Sequence, residues 1–169
     1  GEDANLIRAR KKLATVYEDD GTAPKKVDIG YVGEVESINT DILQTLIQND
    51  YVPVIAPIGV GADGENYNIN ADYVAAKVAG ALKAERLMLL TVYKDFNNKD
   101  SFISILSATE AREYIRDGII KGGMIPKIEA CLEAMDEGVA KAHIIDGRMP
   151  HSLILEMFTA GGVGTQVIR

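Results

Sequence analysis

Apolar and polar positions change their period as this chain proceeds. Leu6-Ile7-Arg8-Ala9-Arg10 and Val27-Asp28-Ile29-Gly30-Tyr31-Val32 alternate, with a polar, glycine-containing break at 18–22 between them. That pattern predicts a β-hairpin or small antiparallel ribbon. Thr40 precedes a helical spacing of Ile42, Leu43, Leu46 and Ile47 that ends around Asn49. Residues 51–60 read as a buried strand interrupted by Pro53 and Pro57, and Asp63-Gly64 marks a turn. From 71 to 84 the chain is rich in alanine, with Val74, Val78, Ala81 and Leu82 on one side of a helix.

Arg86 to Val92 is a largely apolar run of strand length, as a parallel sheet covered on both faces requires. The polar stretch 95–101 is turn-like, and a short strand is expected over Phe102–Leu106. Ser107-Ala108-Thr109-Glu110 is a capping-box pattern, opening a helix that reaches Asp117 and stops at Gly118. Ile128, Cys131, Leu132 and Met135 give a second apolar helix, ended by Gly138. Ala142 to Gly147 reads as a buried strand. A helix through Leu153, Ile154, Met157 and Phe158 follows, and then a terminal strand at 165–168. Strand and helix alternate from Tyr51 onward. The expectation is an α/β fold with a mostly parallel sheet and helices on both faces, preceded by a β-hairpin region. The boundary is placed between 1–36 and 37–169, and no internal repeat interrupts the pattern.

Composition narrows the function classes. A chain of 169 residues with 47% hydrophobic content can build a core. A net charge of −7 argues against nucleic-acid and anionic-membrane surfaces, which need a basic face. The early cluster Arg8, Arg10, Lys11, Lys12, Lys25 and Lys26 is split by Glu18, Asp19 and Asp20, and reads as a solvated hairpin. The single cysteine, Cys131, sits on the apolar face of its helix and is expected to be a core thiol. No apolar run reaches the length of a membrane span. Gly-Glu-Asp-Ala-Asn at the start resembles no signal peptide and reads as the middle of a longer protein.

Three segments could carry chemistry. Lys121-Gly122-Gly123-Met124-Ile125-Pro126-Lys127 places two glycines and a lysine at the start of a helix, with amides expected free at its mouth. An ordinary glycine-rich loop before a surface helix is the alternative. Asn68, Asn70 and Asp72 alternate on the approach to the alanine-rich helix and can share one face; turn and N-cap chemistry is the alternative there. Thr91-Val92-Tyr93 ends a predicted strand, where parallel sheets gather ligands. There is no P-loop, no Gly-x-Gly-x-x-Gly opening a helix, and no metal-ligand spacing. His143 and His151 stand apart in sequence and read as hydrogen-bonded structural residues.

Five segments in order resemble one family. They are Val54-Ile55-Ala56-Pro57-Ile58-Gly59-Val60, Tyr67-Asn68-Ile69-Asn70-Ala71-Asp72, Gly122-Gly123-Met124-Ile125-Pro126-Lys127-Ile128-Glu129-Ala130-Cys131, His143-Ile144-Ile145-Asp146-Gly147-Arg148, and His151-Ser152-Leu153-Ile154-Leu155-Glu156 with Gly162-Val163-Gly164-Thr165. The chain is similar over nearly its whole length to the acetylglutamate kinases of the amino acid kinase family, and to their C-terminal half. The resemblance implies a three-layer αβα fold and phosphoryl transfer from ATP, with Mg²⁺, to the side-chain carboxylate of N-acetyl-L-glutamate in arginine biosynthesis.

It further implies that Lys127 stabilises the transferring phosphoryl group and that Asp72 orients the catalytic lysines. Asn68 and Asn70 bind the acetylated substrate. Thr91, Val92, Tyr93, Ile119, Ile120, Lys121, Gly122, Gly123 and Met124 border ATP. In arginine-inhibited members, L-arginine binds near the C-terminus, which points to His151, Glu156 and Gly164. The family's other half carries the phosphate loop and a second catalytic lysine, so this part alone is expected to be inactive. A homo-oligomeric parent and a cytoplasmic or plastid-stromal location go with the resemblance. An arginine-sensing module and an α/β domain without activity are the alternatives.

Overall fold

The computed structural model describes residues 2–17, 23–92 and 103–169. Tyr93, the turn-like stretch 95–101 and the hairpin break at 18–22 lie outside the described residues. The chain divides into two compact units, Gly1–Val74 and Ala75–Arg169. The sequence pattern drew its boundary at residue 36, whereas the contacts draw theirs inside the alanine-rich helix.

In the first unit the alternating segments form β1 (Ile7–Val16) and β2 (Lys25–Ile38), paired antiparallel with register shifts at Arg8/Ala9 and Lys11/Leu13. Helix α1 (Asp41–Gln48) follows, with Leu43 buried. Thr40 occupies its N-cap position without a side-chain bond; Asn39 Oδ1 accepts from the Asp41 N–H instead, at 3.2 Å. β3 (Ile58–Val60) and β4 (Asn66–Asn68) pair antiparallel with each other and parallel with β1 and β2, closing a barrel in the order β1-β2-β4-β3. Ile7, Ala9, Tyr67 and Ile69 fill it. The barrel is narrow: a Cβ on Gly59 would lie 2.8 Å from the Ala9 Cβ and 3.0 Å from the Ile69 Cδ1.

Two expectations are corrected here. Residues 51–57 form no strand, and Tyr51, Val52 and Val54 are 64%, 88% and 95% exposed. Pro53 and Pro57 each remove a ladder donor, so only Ile58–Val60 pairs. The strands after Tyr51 also do not all enter one parallel sheet, because β3 and β4 join the hairpin.

Helix α2 (Ala71–Ala81) leads into the second unit. That unit holds β5 (Arg86–Thr91), β6 (Ile105–Ser107), α3 (Ala108–Arg116), α4 (Met124–Asp136), β7 (Lys141–Asp146), α5 (Ser152–Phe158) and β8 (Thr165–Ile168). The sheet order is β5-β7-β8-β6. β5 and β7 are parallel, as are β6 and β8, while β8 runs antiparallel to β7. Ala142, His143, Ile144 and Ile145 are all buried, so both faces of β7 are covered: α4 packs on it, and so does α5. The result is a mixed α/β fold with two sheets and five helices among the described residues.

The core centres on α4 and β7. Ile128, Ala130, Cys131, Ala134, Ala142 and Ile144 have no measurable exposure. Helix α5 reverses the expected face. Ser152 and Glu156 are buried, while Leu153, Ile154, Met157 and Phe158 are 42%, 56%, 41% and 77% exposed.

The capping box at α3 is complete. Ser107 Oγ accepts from the Glu110 N–H at 3.2 Å, and Glu110 Oε2 accepts from the Ser107 N–H at 2.9 Å. Ser107→Ala is expected to lower stability by about 1 kcal/mol, read as a depressed thermal midpoint with the same far-ultraviolet spectrum.

Candidate functional site

β5 and β7 run in register from Arg86 beside Lys141 to Thr91 beside Asp146. Two ends of one sheet are thereby defined. At the carboxyl end the Gly147 N–H donates to the Thr91 carbonyl at 2.9 Å. Asp146 accepts from Arg148 Nε at 3.0 Å and from Nη2 at 2.6 Å. The Arg148 side chain, with the Arg148 N–H, holds the Asp146 carboxyl down at about 2.

Helix α4 is 13 residues long, about 20 Å at 1.5 Å per residue. Only residues 137–140 separate its end from β7, so it runs back along that strand and delivers its N-terminus to the carboxyl end. Gly122, at φ +56°, and Gly123 form the turn before it, and a Cβ on either would meet nothing within 4 Å. The turn is open to a ligand. Ile119 is 55% exposed while Ile120 and Met124 are buried, Lys121 is exposed, and Lys127 is partly buried in the first turn.

One expectation fails at this mouth. The Met124 N–H donates to the Lys121 carbonyl at 3.3 Å and the Ile125 N–H to the Gly122 carbonyl at 3.2 Å. Pro126 has no N–H, so these three positions leave no amide for an anion. The attraction there rests on Lys127, Lys121 and the exposed glycine turn.

Asn68, Asn70 and Asp72 belong to the first unit and Lys127 to the second. Asn68 and Asn70 are exposed on either side of the buried Ile69. Asn70 Oδ1 accepts from the Asp72 N–H at 2.8 Å, an N-terminal cap for α2. Asp72 is partly buried in the first turn of that helix. Thr91 closes β5 and Val92 follows it, half exposed.

At the amino end of β5 and β7 lies a cavity of about 410 Å³, lined among others by Arg86, Lys141, His143, Glu156 and Gln166. Glu156 is the reason α5 turns its polar side inward. Its Oε1 accepts from His143 Nδ1 at 2.7 Å. Its Oε2 accepts from the Val163 and Gly164 N–H groups at 2.6 and 2.8 Å. Burial alone pushes the Glu156 carboxyl up, but the Val163 amide, His143 and the Gly164 amide together hold it below its ordinary 4.5. A carboxylate can only accept, so His143 carries its proton on Nδ1. His143 Nε2 is buried and has no hydrogen-bond partner among the described residues. Gly164 lines the same cavity. His151, exposed at φ +59° in the N-cap position of α5, does not.

The sequence matches the amino acid kinase family over residues 3–146. The chain belongs to the amino acid kinase family. Solved structures agree. N-acetylglutamate synthase from Neisseria gonorrhoeae, complexed with coenzyme A and L-arginine, is 27% identical with a TM-score of 0.79, over 97% of this chain and 36% of that one. A Streptococcus mutans UA159 protein is 31% identical with a TM-score of 0.69, over 92% of this chain and 56% of that one. Carbamate kinase from Giardia lamblia bound to AMP-PNP, at 22% identity and a TM-score of 0.64 over 94% of this chain and 52% of that one, shares the fold. The chain thus spans 36% to 56% of the length of these three structures. No helix among the described residues is long and apolar enough to cross a membrane.

In this amino acid kinase chain His143 is hydrogen-bonded and buried, as the sequence suggested, but its place on the cavity wall was not foreseen. Glu156 was expected only as a possible arginine-binding residue, and neither its burial nor its bond to His143 was anticipated. The signal available was weak: a buried-strand histidine, and one glutamate among apolar neighbours on a short helix.

The Glu156 contacts set a pH dependence. Its carboxyl titrates lower in the folded chain than in the unfolded one, so its contribution is present above the unfolded value and is lost as pH falls through the folded one. Glu156→Gln is expected to cost about 2 kcal/mol near neutral pH. It should also flatten the loss of stability below pH 4.5. Denaturant unfolding at a series of pH values reads both effects.

Proposed function

We propose that this chain is the ATP-binding part of an acetylglutamate kinase, which moves the terminal phosphoryl group of ATP to the side-chain carboxylate of N-acetyl-L-glutamate. The observation that carries the reading is the open glycine turn and Lys127 delivered by α4 to the carboxyl ends of β5 and β7. In open α/β sheets that end is where ligands sit. The apolar Ile119 and the Thr91–Val92 strand end suit an adenine edge; Lys121, Gly122 and Gly123 suit phosphates.

Phosphoryl transfer asks for positioning and positive charge around the transferred group rather than covalent chemistry. Lys127 supplies that charge in this reading. Asp72 keeps the carboxylate role that the resemblance gives it, Asn68 bonds the acetylated substrate, and Asn70 sets the start of the helix that carries Asp72. Magnesium arrives with the nucleotide. Among the described residues no group of three or more His, Cys, Asp or Glu side chains stands ready to hold a metal alone. A cytoplasmic or plastid-stromal enzyme, homo-oligomeric as a whole, completes the reading. Because the chain spans only 36% of the Neisseria gonorrhoeae synthase and 56% of the Streptococcus mutans protein, catalysis is assigned to a larger assembly and nucleotide binding to this part.

A second reading is an arginine-sensing module. It is supported by the cavity at the opposite end of the sheet, where Glu156 Oε1 keeps acceptor capacity beside His143 and where Glu156 and Gly164 come together. The Neisseria gonorrhoeae synthase was solved with L-arginine bound.

Calorimetric titration separates the two. The chain is expected to bind Mg·ATP saturably and in a magnesium-dependent way, and Lys127→Met to weaken that binding about tenfold without lowering the thermal midpoint. A folded chain that binds no Mg·ATP overturns the first reading. Saturable binding of L-arginine but not of uncharged L-citrulline supports the second, and failure to bind arginine removes it.

A further inference from the structure

Helix α4 is closed at its C-terminus by backbone bonds, the Gly138 and Val139 N–H groups donating to the Met135 and Ala134 carbonyls. Its N-cap, Gly123, offers no side-chain bond, and its last turn contains no basic residue. The groups that seat it come from elsewhere in the unit. Lys77 Nζ, on α2, lies 2.8 Å from Glu133 Oε1 and 2.5 Å from Glu137 Oε1. Lys83 Nζ donates to the Glu137 carbonyl at 3.1 Å, and Arg169 donates to the Met135 carbonyl. These cations stand at the negative end of the helix dipole. Gly80 lets the two helices approach, since a Cβ there would sit 2.7 Å from the Glu137 Cβ.

Glu133 and Glu137 are four residues apart and therefore on one face of α4. One ammonium bonded to both spans a full turn of that helix, and so opposes sliding along its axis as well as rotation about it. Both pairs are partly shielded, with side chains about one-third exposed, and the two carboxylates, Glu133 foremost, push the Lys77 ammonium to hold its proton more strongly. Lys127 lies six residues ahead of Glu133 on the same helix, about 9 Å along its axis. A displacement of the helix moves it directly, and misplacement of a charged group by about 1 Å is enough to weaken transition-state contacts.

We infer that Lys77 is a positioning residue for Lys127: by bridging Glu133 and Glu137 it fixes the setting of α4, and with it the place of the Lys127 ammonium at the carboxyl end of the sheet. The inference rests on the nucleotide reading above. Lys77 touches no substrate in it.

The test compares Mg·ATP with Mg·ADP as calorimetric probes of the full chain. Lys127 is assigned to the terminal phosphoryl group, so it contributes to the preference for ATP over ADP. Lys77→Met keeps the aliphatic stem and removes the bridge. It is expected to shrink that preference about fivefold while leaving Mg·ADP affinity nearly unchanged. Lys77→Arg, which can still bond both carboxylates, is expected to restore it. Should Lys77→Met unfold, Glu133→Gln carries the same expectation at smaller size.

A purely structural role for Lys77 would weaken both nucleotides alike, and that result overturns the inference. So does a Lys77→Met chain that keeps its full preference while Lys127→Met loses it; the functional reading survives in that case. A folded wild-type chain that binds neither nucleotide sinks both together.

Discussion

The burial of one helix stripe against one strand organises the second unit. Ile128, Cys131, Leu132 and Met135 on α4 pack against β7, a strand with no exposed apolar residue. Burying a side chain of the size of Ile, Leu or Met contributes about 1.5–3 kcal/mol, so Ile128, Leu132 and Met135 together outweigh any single polar contact in the unit. The geometry follows from that contact. A helix that returns antiparallel to its strand must deliver its N-terminus to the strand's carboxyl end. The open glycine turn and Lys127 are therefore carried to one end of the sheet by hydrophobic packing, not by a local motif. The same packing leaves the cations Lys77, Lys83 and Arg169 to trim the position of the helix from its other end.

The amino end of the sheet is governed by a polar group. Glu156 is buried with three hydrogen-bond donors, and each bond to an ionised acceptor is stronger than a neutral one. This satisfies a charge that would otherwise be costly to bury. It also overrides the apolar pattern of α5, whose Leu153, Ile154 and Phe158 face outward as a result. The two ends of the sheet thus differ in kind: an open, lysine-bearing turn at one, a half-enclosed cavity around a buried carboxylate and histidine at the other.

Local rules in the sequence were readable. The alternation on either side of residues 18–22 marked the hairpin strands. Ser107 with Glu110 marked the start of α3, Gly118 its stop, and Thr165 to Ile168 the last strand. Long-range pairing was not readable. β3 and β4 are three residues each, too short for a periodic signal, and their partners lie on the hairpin far back in the chain. The apolar run at 51–57 looked buried because hydrophobicity dominates it, but two prolines deny it a ladder. The orientation of α5 depends on His143 and on two backbone amides, which no window centred on the helix contains. At the candidate site the residue types at 122–127 pointed to an anion, whereas the consumption of the Met124 and Ile125 amides by the preceding turn is a matter of backbone geometry.

The central claim is that nucleotide binds at the carboxyl end of β5 and β7 and not at the cavity on the opposite end. Amide hydrogen exchange of the chain with and without saturating Mg·ATP tests it most directly. Slowed exchange is expected at Thr91, Val92 and residues 119–127, with Lys141, His143 and Gly164 unchanged. Protection confined to Lys141, His143, Val163 and Gly164 would contradict it, and would place the ligand site of this unit at the buried carboxylate instead.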